Sequence, residues 1–282
     1  MNFISALEEM TTKYDAILCD VWGVLHNGEV SWPAASQALI RARKAGKTVV
    51  LITNSPRPQG GVRQQLAMLG VSDEAYDAIA TSGDVTRTLI AAGPTRQFHL
   101  GPERDAPLFH GLDVELVDEA SAEAVVCTGL FDDETETPND YEDMLSRFRS
   151  RDLPFICANP DIVVERGDRL LYCAGALAQR YDLMGGKTLI AGKPHKPIYD
   201  LAMSLAAESR GVELTKKQTM VIGDGISTDA KGAVDNGFDL LFITDGIHAR
   251  EYGEHGKPDP SRLDAFLSDF GVQPTSMMTK LA

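Results

Sequence analysis

The chain has 282 residues, 43% of them hydrophobic and 24% charged, the balance of a soluble globular protein long enough for two domains. With 27 Lys+Arg against 41 Asp+Glu the formal charge is -14, so no nucleic-acid or membrane partner is expected, and an anionic substrate needs a local cluster of cations or a metal. No apolar run is as long as a bilayer span and residues 1–10 carry two Glu and no basic segment, which argues against export and for a cytoplasmic protein.

In chain order, residues 5–12 read as a short lead-in helix and residues 16–19 as a strand buried on both faces, with Asp20 at its carboxyl end. Ser31 and Pro33 open a helix to Lys44 that Gly46 stops, and residues 48–52 form a second buried strand ending in Thr53, Asn54 and Ser55. A helix over 61–69 and a short strand over 78–80 complete a strand–helix alternation that predicts a doubly wound parallel α/β sheet. From Asp84 the pattern changes. Short strands are expected at 97–100, 114–117, 124–128 and 154–158, with a helix over 139–151. A hairpin is expected around Arg166-Gly167-Asp168, and the acidic run 132–136 reads as a solvated loop. Residues 84–186 are therefore assigned to a smaller inserted α/β domain, with 1–83 and 187–282 forming the outer one. The first pattern returns with a strand over 188–190 ending at Gly192-Lys193-Pro194, a helix over 197–210 and a strand over 218–222 running into Gly223-Asp224-Gly225. A helix closing on Gly237, a strand over 240–243 and a last helix over 261–270 follow.

Four strands thus end in Asp20, Thr53-Asn54, Lys193 and Asp224, with Asp229 five residues further on. Strand ends of a parallel sheet share one edge, where ligands bind, so these groups are expected to converge. Three crowded carboxylates need a compensating cation, and hard oxygen ligands with no His or Cys at ligand spacing favour Mg²⁺ over zinc. A carboxylate beside Mg²⁺ can be the nucleophile of phosphoryl transfer. On this reading Asp20 attacks, Thr53 gives its hydroxyl and Lys193 its charge to the phosphoryl group, and Asp224 holds the metal, with Asp229 either a ligand or a partner of the ligands. The widely spaced Cys19, Cys127, Cys157 and Cys173 lie in apolar runs and are expected to be buried free thiols. Gly185-Gly186-Lys187-Thr188 lacks the first glycine of a P-loop, and Gly223-Asp224-Gly225 the third of a dinucleotide fingerprint, so neither motif is assigned.

The segments DVWGVL, LITNS, GKP and IGDGISTDA, in that order with a cap-sized insert between the second and third, resemble the four motifs of the haloacid dehalogenase-like hydrolases. The resemblance is to the branch with an inserted α/β cap, which includes nitrophenylphosphate, pyridoxal-phosphate and phosphoglycolate phosphatases. It implies a Rossmann-like core, an aspartyl-phosphate at Asp20, and hydrolysis of a small phosphorylated metabolite such as a sugar phosphate. It also implies a metal ligand in the Trp22 backbone carbonyl, and substrate contacts from Asn54 and Ser55 and, in the cap, Asn159 and Asp161; Gly175-Ala176-Leu177 fits as a close-approach turn. A homodimer is compatible with it. The family's phosphatases carry Asp-x-Asp in the first motif, where this chain has Asp20-Val21-Trp22, and an indole cannot replace the second carboxylate in proton transfer. His26 is the nearest substitute in sequence, with His195 and His248 behind it. The rival reading is a protein that binds a phosphometabolite without turnover, or a hydrolase whose substrate has an activated leaving group.

Overall fold

The computed structural model describes residues 2–167 and 169–282. The chain forms β1 (Ala16–Asp20), β2 (Thr48–Thr53) and β3 (Ala78–Thr81), then β4 (Arg96–Leu100), β5 (Glu115–Leu116), β6 (Ala124–Cys127) and β7 (Phe155–Cys157). A ribbon of β8 (Val163–Arg166) and β9 (Arg169–Tyr172) and the short β10 (Thr188–Ile190) come next. It ends with β11 (Thr219–Gly223), β12 (Asp239–Ile243), a hairpin of β13 (Gly253–Glu254) and β14 (Lys257–Pro258), and β15 (Ser276–Met278). It separates into two compact units, one of Met1–Thr53, Arg63–Ala80 and Tyr199–Ala282, the other of Asn54–Val62 and Thr81–Ile198.

The first unit is built on a six-stranded sheet in the order β15-β12-β11-β1-β2-β3. β1 pairs in parallel with β11 on one side and β2 on the other, and β12 and β15 continue the parallel run beyond β11. The residues of β1, β2 and β11 are all buried, as uninterrupted apolar runs require when helices cover both faces. Winding proceeds from β1 toward β3 and resumes on the opposite side at β11, so the direction reverses between β1 and β11. The helix Pro33–Lys44 carries its proline in the first turn, where no intrahelical N–H is needed, and Gly46 follows at φ 81°. After β11 the chain enters a turn wider than an α-helix, Ala230 N–H donating to Gly225 O five residues back, before the helix Lys231–Asn236 ends on Gly237 at φ 74°.

The second unit has its own parallel sheet, in the order β10-β7-β6-β4-β5. Its strands show the period of two. Val125, Cys127, Phe155 and Cys157 face a cluster with Leu145, Phe148, Leu177 and Tyr181, while Val126 and Ile156 face Ile90, Leu108 and Phe109. The helices Glu142–Ser150 and Ala174–Leu183 cover the first face and Ser82–Ala92 the second.

Several expectations are corrected. The strand over 188–190 forms, yet it pairs with β7 in the second sheet, because a three-residue run offers hydrogen bonds to whichever edge it meets. The boundaries shift accordingly: the second unit reaches Ile198 instead of stopping at 186, and it takes in 54–62. That early segment belongs there because Gln59 N–H donates to Asp84 Oδ2 and Gly83 N–H to Ser55 O, at the start of a helix, Ser82–Ala92, that the pattern did not reveal. Gly175-Ala176-Leu177 is helical rather than a turn. The acidic run is not merely solvated: Glu134 lies 3.0 Å from both Arg166 and Arg169, which face each other across the ribbon, and so offsets their repulsion. Of the expected turn there, Asp168 lies outside the described residues.

Candidate active site

Asp20 ends β1 and Asp224 follows β11, so both stand where the winding of the first sheet reverses, the place where open α/β sheets bind ligands. Asp229 lies on the wide turn beyond. The three side chains are buried, 5%, 4% and 1% exposed, and one carboxylate oxygen from each lies within 4.8 Å of the others. At that spacing each pair of charges repels by about 3 kcal/mol for an effective dielectric of about 20, so the ionised cluster calls for a counter-charge. Three buried carboxylates with no sulfur or imidazole among them suit a small, hard divalent cation.

Glycines let these carboxylates come so close. A methyl group at Gly246 would lie 2.0 Å from Asp224 Oδ2, one at Gly23 would lie 2.2 Å from the same atom, and one at Gly223 would lie 2.2 Å from Asp229 Cγ. Gly23 also needs its φ of 85° to turn the chain after Trp22. Ile247 N–H donates to Asp224 Oδ2 at 2.8 Å and Gly225 N–H to Asp229 Oδ2 at 3.2 Å, fixing one oxygen of each. The sequence pointed to the 244–248 loop after β12 only through His248; the contacts of Gly246 and Ile247 with Asp224 were not expected, since a missing Cβ and a backbone N–H leave no chemical signature. Asp245 pins that loop, Oδ1 accepting Gly256 N–H at 2.9 Å and lying 2.8 Å from His255 Nδ1, with Lys280 Nζ 3.2 Å from Oδ2.

Thr53 ends β2, one residue beyond Ile52, the register partner of Asp20, and is buried. The Trp22 ring meets His26 edge-on at 5.0 Å, and Gly23 N–H donates to His26 O. His26 is 1% exposed, and burial lowers its pKa to about 4. Its Nδ1 accepts Gly28 N–H at 3.0 Å, so the neutral ring carries its proton on Nε2. Near neutral pH the ring is therefore uncharged and has no imidazolium proton to give. His248 Nδ1 lies 2.7 Å from Glu251, and His195 is exposed.

The remaining expected site residues lie in the second unit. Lys193 is buried, and its N–H donates to Asn54 Oδ1 at 2.7 Å. Asn54 Nδ2 donates to Lys193 O at 3.3 Å and to Asp161 Oδ1 at 2.8 Å, so the amide expected to touch substrate is engaged within the protein. Asn159 Oδ1 accepts Asp161 N–H at 3.1 Å, closing an Asx turn, and Ser55 Oγ accepts Arg57 N–H at 3.3 Å. The rejected P-loop is filled by the Tyr181 ring, which lies where a Gly186 side chain would be, and the segment runs into β10.

A family model described as haloacid dehalogenase-like hydrolase matches residues 17–115, and a second hydrolase-like model of that superfamily matches 190–271. A solved haloacid dehalogenase-like hydrolase from Brucella suis is 53% identical, with 99% of this chain and 100% of that one covered at a TM-score of 0.91. The chain belongs to the haloacid dehalogenase-like hydrolase family. A curated relative of this hydrolase, human haloacid dehalogenase-like hydrolase domain-containing protein 2, is 25% identical over 249 residues, 87% of this chain and 90% of the relative. The hydrolase shares its fold with a 4-nitrophenylphosphatase from Thermotoga maritima (22% identity, 96% and 95% covered, TM-score 0.71). It also shares it with a protein described as a possible sugar phosphatase from Cytophaga hutchinsonii (20%, 99% and 98%, 0.81). No helix among the described residues is long and apolar enough to cross a membrane.

Proposed function

We propose that this hydrolase cleaves monoesters of phosphate on small metabolites, sugar phosphates among them, by way of an aspartyl-phosphate on Asp20. The observation that carries the proposal is the buried cluster of Asp20, Asp224 and Asp229 at the reversal point of the first sheet. Asp20 attacks phosphorus, the bond from phosphorus to the ester oxygen breaks, and the oxygen departs with the bonding pair as the alkoxide or phenolate, which takes its proton from water; a second water then attacks the acyl-phosphate and releases inorganic phosphate, a proton and the free carboxylate. Mg²⁺, held by Asp20, Asp224, Asp229 and the Trp22 carbonyl, would supply positive charge that offsets the carboxylates and the phosphoryl oxygens. Thr53 donates its hydroxyl and Lys193 brings its ammonium charge to the transferring group, while Ser55, Asn159 and Asp161 belong to the substrate side.

Trp22 shapes the chemistry. It has no proton to give the departing oxygen, and a neutral, buried His26 does not replace it, so esters with stable leaving groups react best and alkyl esters lose about 10² to 10⁴ in rate. Phosphate release from an aryl phosphate with Mg²⁺ tests the proposal: Asp20→Asn is expected to abolish it, and equal rates for the two proteins refute it. Trp22 also supports a second reading, a phosphometabolite-binding protein without turnover, which detection of phosphate covalently attached to Asp20 would eliminate.

A further inference from the structure

One side chain holds the main chain of Lys193 at two points. Asn54 Oδ1 accepts its N–H at 2.7 Å and Asn54 Nδ2 donates to its carbonyl at 3.3 Å, across 139 residues of sequence. The second Nδ2 hydrogen goes to Asp161 Oδ1 at 2.8 Å. Asn54 and Lys193 are each 3% exposed, so the grip lies out of water, where a lost hydrogen bond is costly. Gly192 permits the approach: a methyl group there would lie 2.6 Å from Asn54 Oδ1 and 2.7 Å from Pro160 Cγ. Asp161 is anchored in turn by its N–H to Asn159 Oδ1, and the Asn159 carbonyl accepts from Cys157 Sγ at 3.3 Å. Gly175 lets the same turn lie against the helix Ala174–Leu183, a methyl group there falling 2.2 Å from Pro160 O.

We propose that Asn54 is a positioning residue that fixes where the Lys193 ammonium group sits, with Asp161 anchoring Asn54 in turn. The inference rests on the reading of Lys193 as the cation of the phosphoryl site. A lysine ammonium rides on a flexible four-carbon stem, so its reach is set by its main chain, and a displacement of about 1 Å can cost about 10²-fold in rate.

The test measures kcat/KM for an aryl phosphate and, by calorimetry, Kd for inorganic phosphate, both with Mg²⁺ and the full chain. Asn54→Ala is expected to weaken both by about 10- to 100-fold, and to cost nothing further in a Lys193→Met background. Asn54→Asp sets two carboxylates face to face and is expected to be as impaired. Adding Asp161→Asn should recover part of that loss, since the amide hydrogen then runs from position 161 to position 54. If Lys193→Met leaves both readouts unchanged, the reading of Lys193 fails and the inference falls with it. If Lys193→Met is impaired but Asn54→Ala costs the same factor in both backgrounds, Asn54 acts by another route and only the inference is overturned. Should Asn54→Ala fail to fold, the exchanged pair decides: no recovery over Asn54→Asp overturns the inference.

Discussion

Tryptophan at position 22 is the residue that sets this hydrolase apart from an Asp-x-Asp phosphatase, and it makes a directional prediction. Trp22→Asp supplies the missing proton donor and is expected to raise alkyl phosphate turnover by up to about 10² to 10⁴, and aryl phosphate turnover by less. Unchanged kinetics would show a pocket remodelled for another task. His26 makes a prediction about stability. Its folded pKa of about 4 lies below the ordinary 6.5, so the unfolded chain takes up the proton first as pH falls. Stability is therefore full above pH 6.5 and declines toward pH 4. Between pH 7 and pH 5 this single group accounts for about 2 kcal/mol at most. His26→Asn keeps an acceptor for Gly28 N–H and is expected to reduce the drop in unfolding free energy between those pH values by that amount, in metal-free urea titrations. An identical drop in both proteins would contradict the burial argument.

At the scale of elements, the loop after β12 does as much for the acidic cluster as the strands that carry the carboxylates. Gly246→Ala would drive a methyl group into Asp224 Oδ2, and is expected to weaken divalent-cation affinity by about 10- to 100-fold and to cost about 1 to 3 kcal/mol of stability. Binding and unfolding curves for the variant check both. The hold of that loop on Asp224 was invisible in the sequence, whereas the ends of β1, β2 and β11 were legible because each apolar run stops on a polar side chain that a buried strand has no use for. The strand before Lys193 was legible as a strand but not as part of the second sheet, since Thr188-Leu189-Ile190 has nothing in it that selects a partner. The partners of Asn54 were not legible for a related reason: an amide says that it needs hydrogen bonds, not that its partners lie 107 and 139 residues away. The helix Ala174–Leu183 was lost behind Gly175, which does make a close approach, but from within a helix.

Over the whole molecule, the chain builds two parallel α/β sheets of different strand order, with the acidic cluster at the reversal point of the first and the Lys193 anchor in the second. All four cysteines are buried thiols; burial raises the thiol pKa of Cys127 and Cys173 and pushes that of Cys157 to about 12. The native protein is expected to show no thiol reactive toward a disulfide reagent at neutral pH and four after denaturation; rapid modification of the native protein would contradict the packing of β1, β6 and β7. Asp20, Asp224 and Asp229 are expected together to hold one divalent cation. Mn²⁺ binding followed by electron paramagnetic resonance tests it most directly: one ion per chain, competed by Mg²⁺ and lost in Asp224→Asn and in Asp229→Asn, is the result expected. No binding to the wild-type chain, or binding unchanged in both variants, would contradict it.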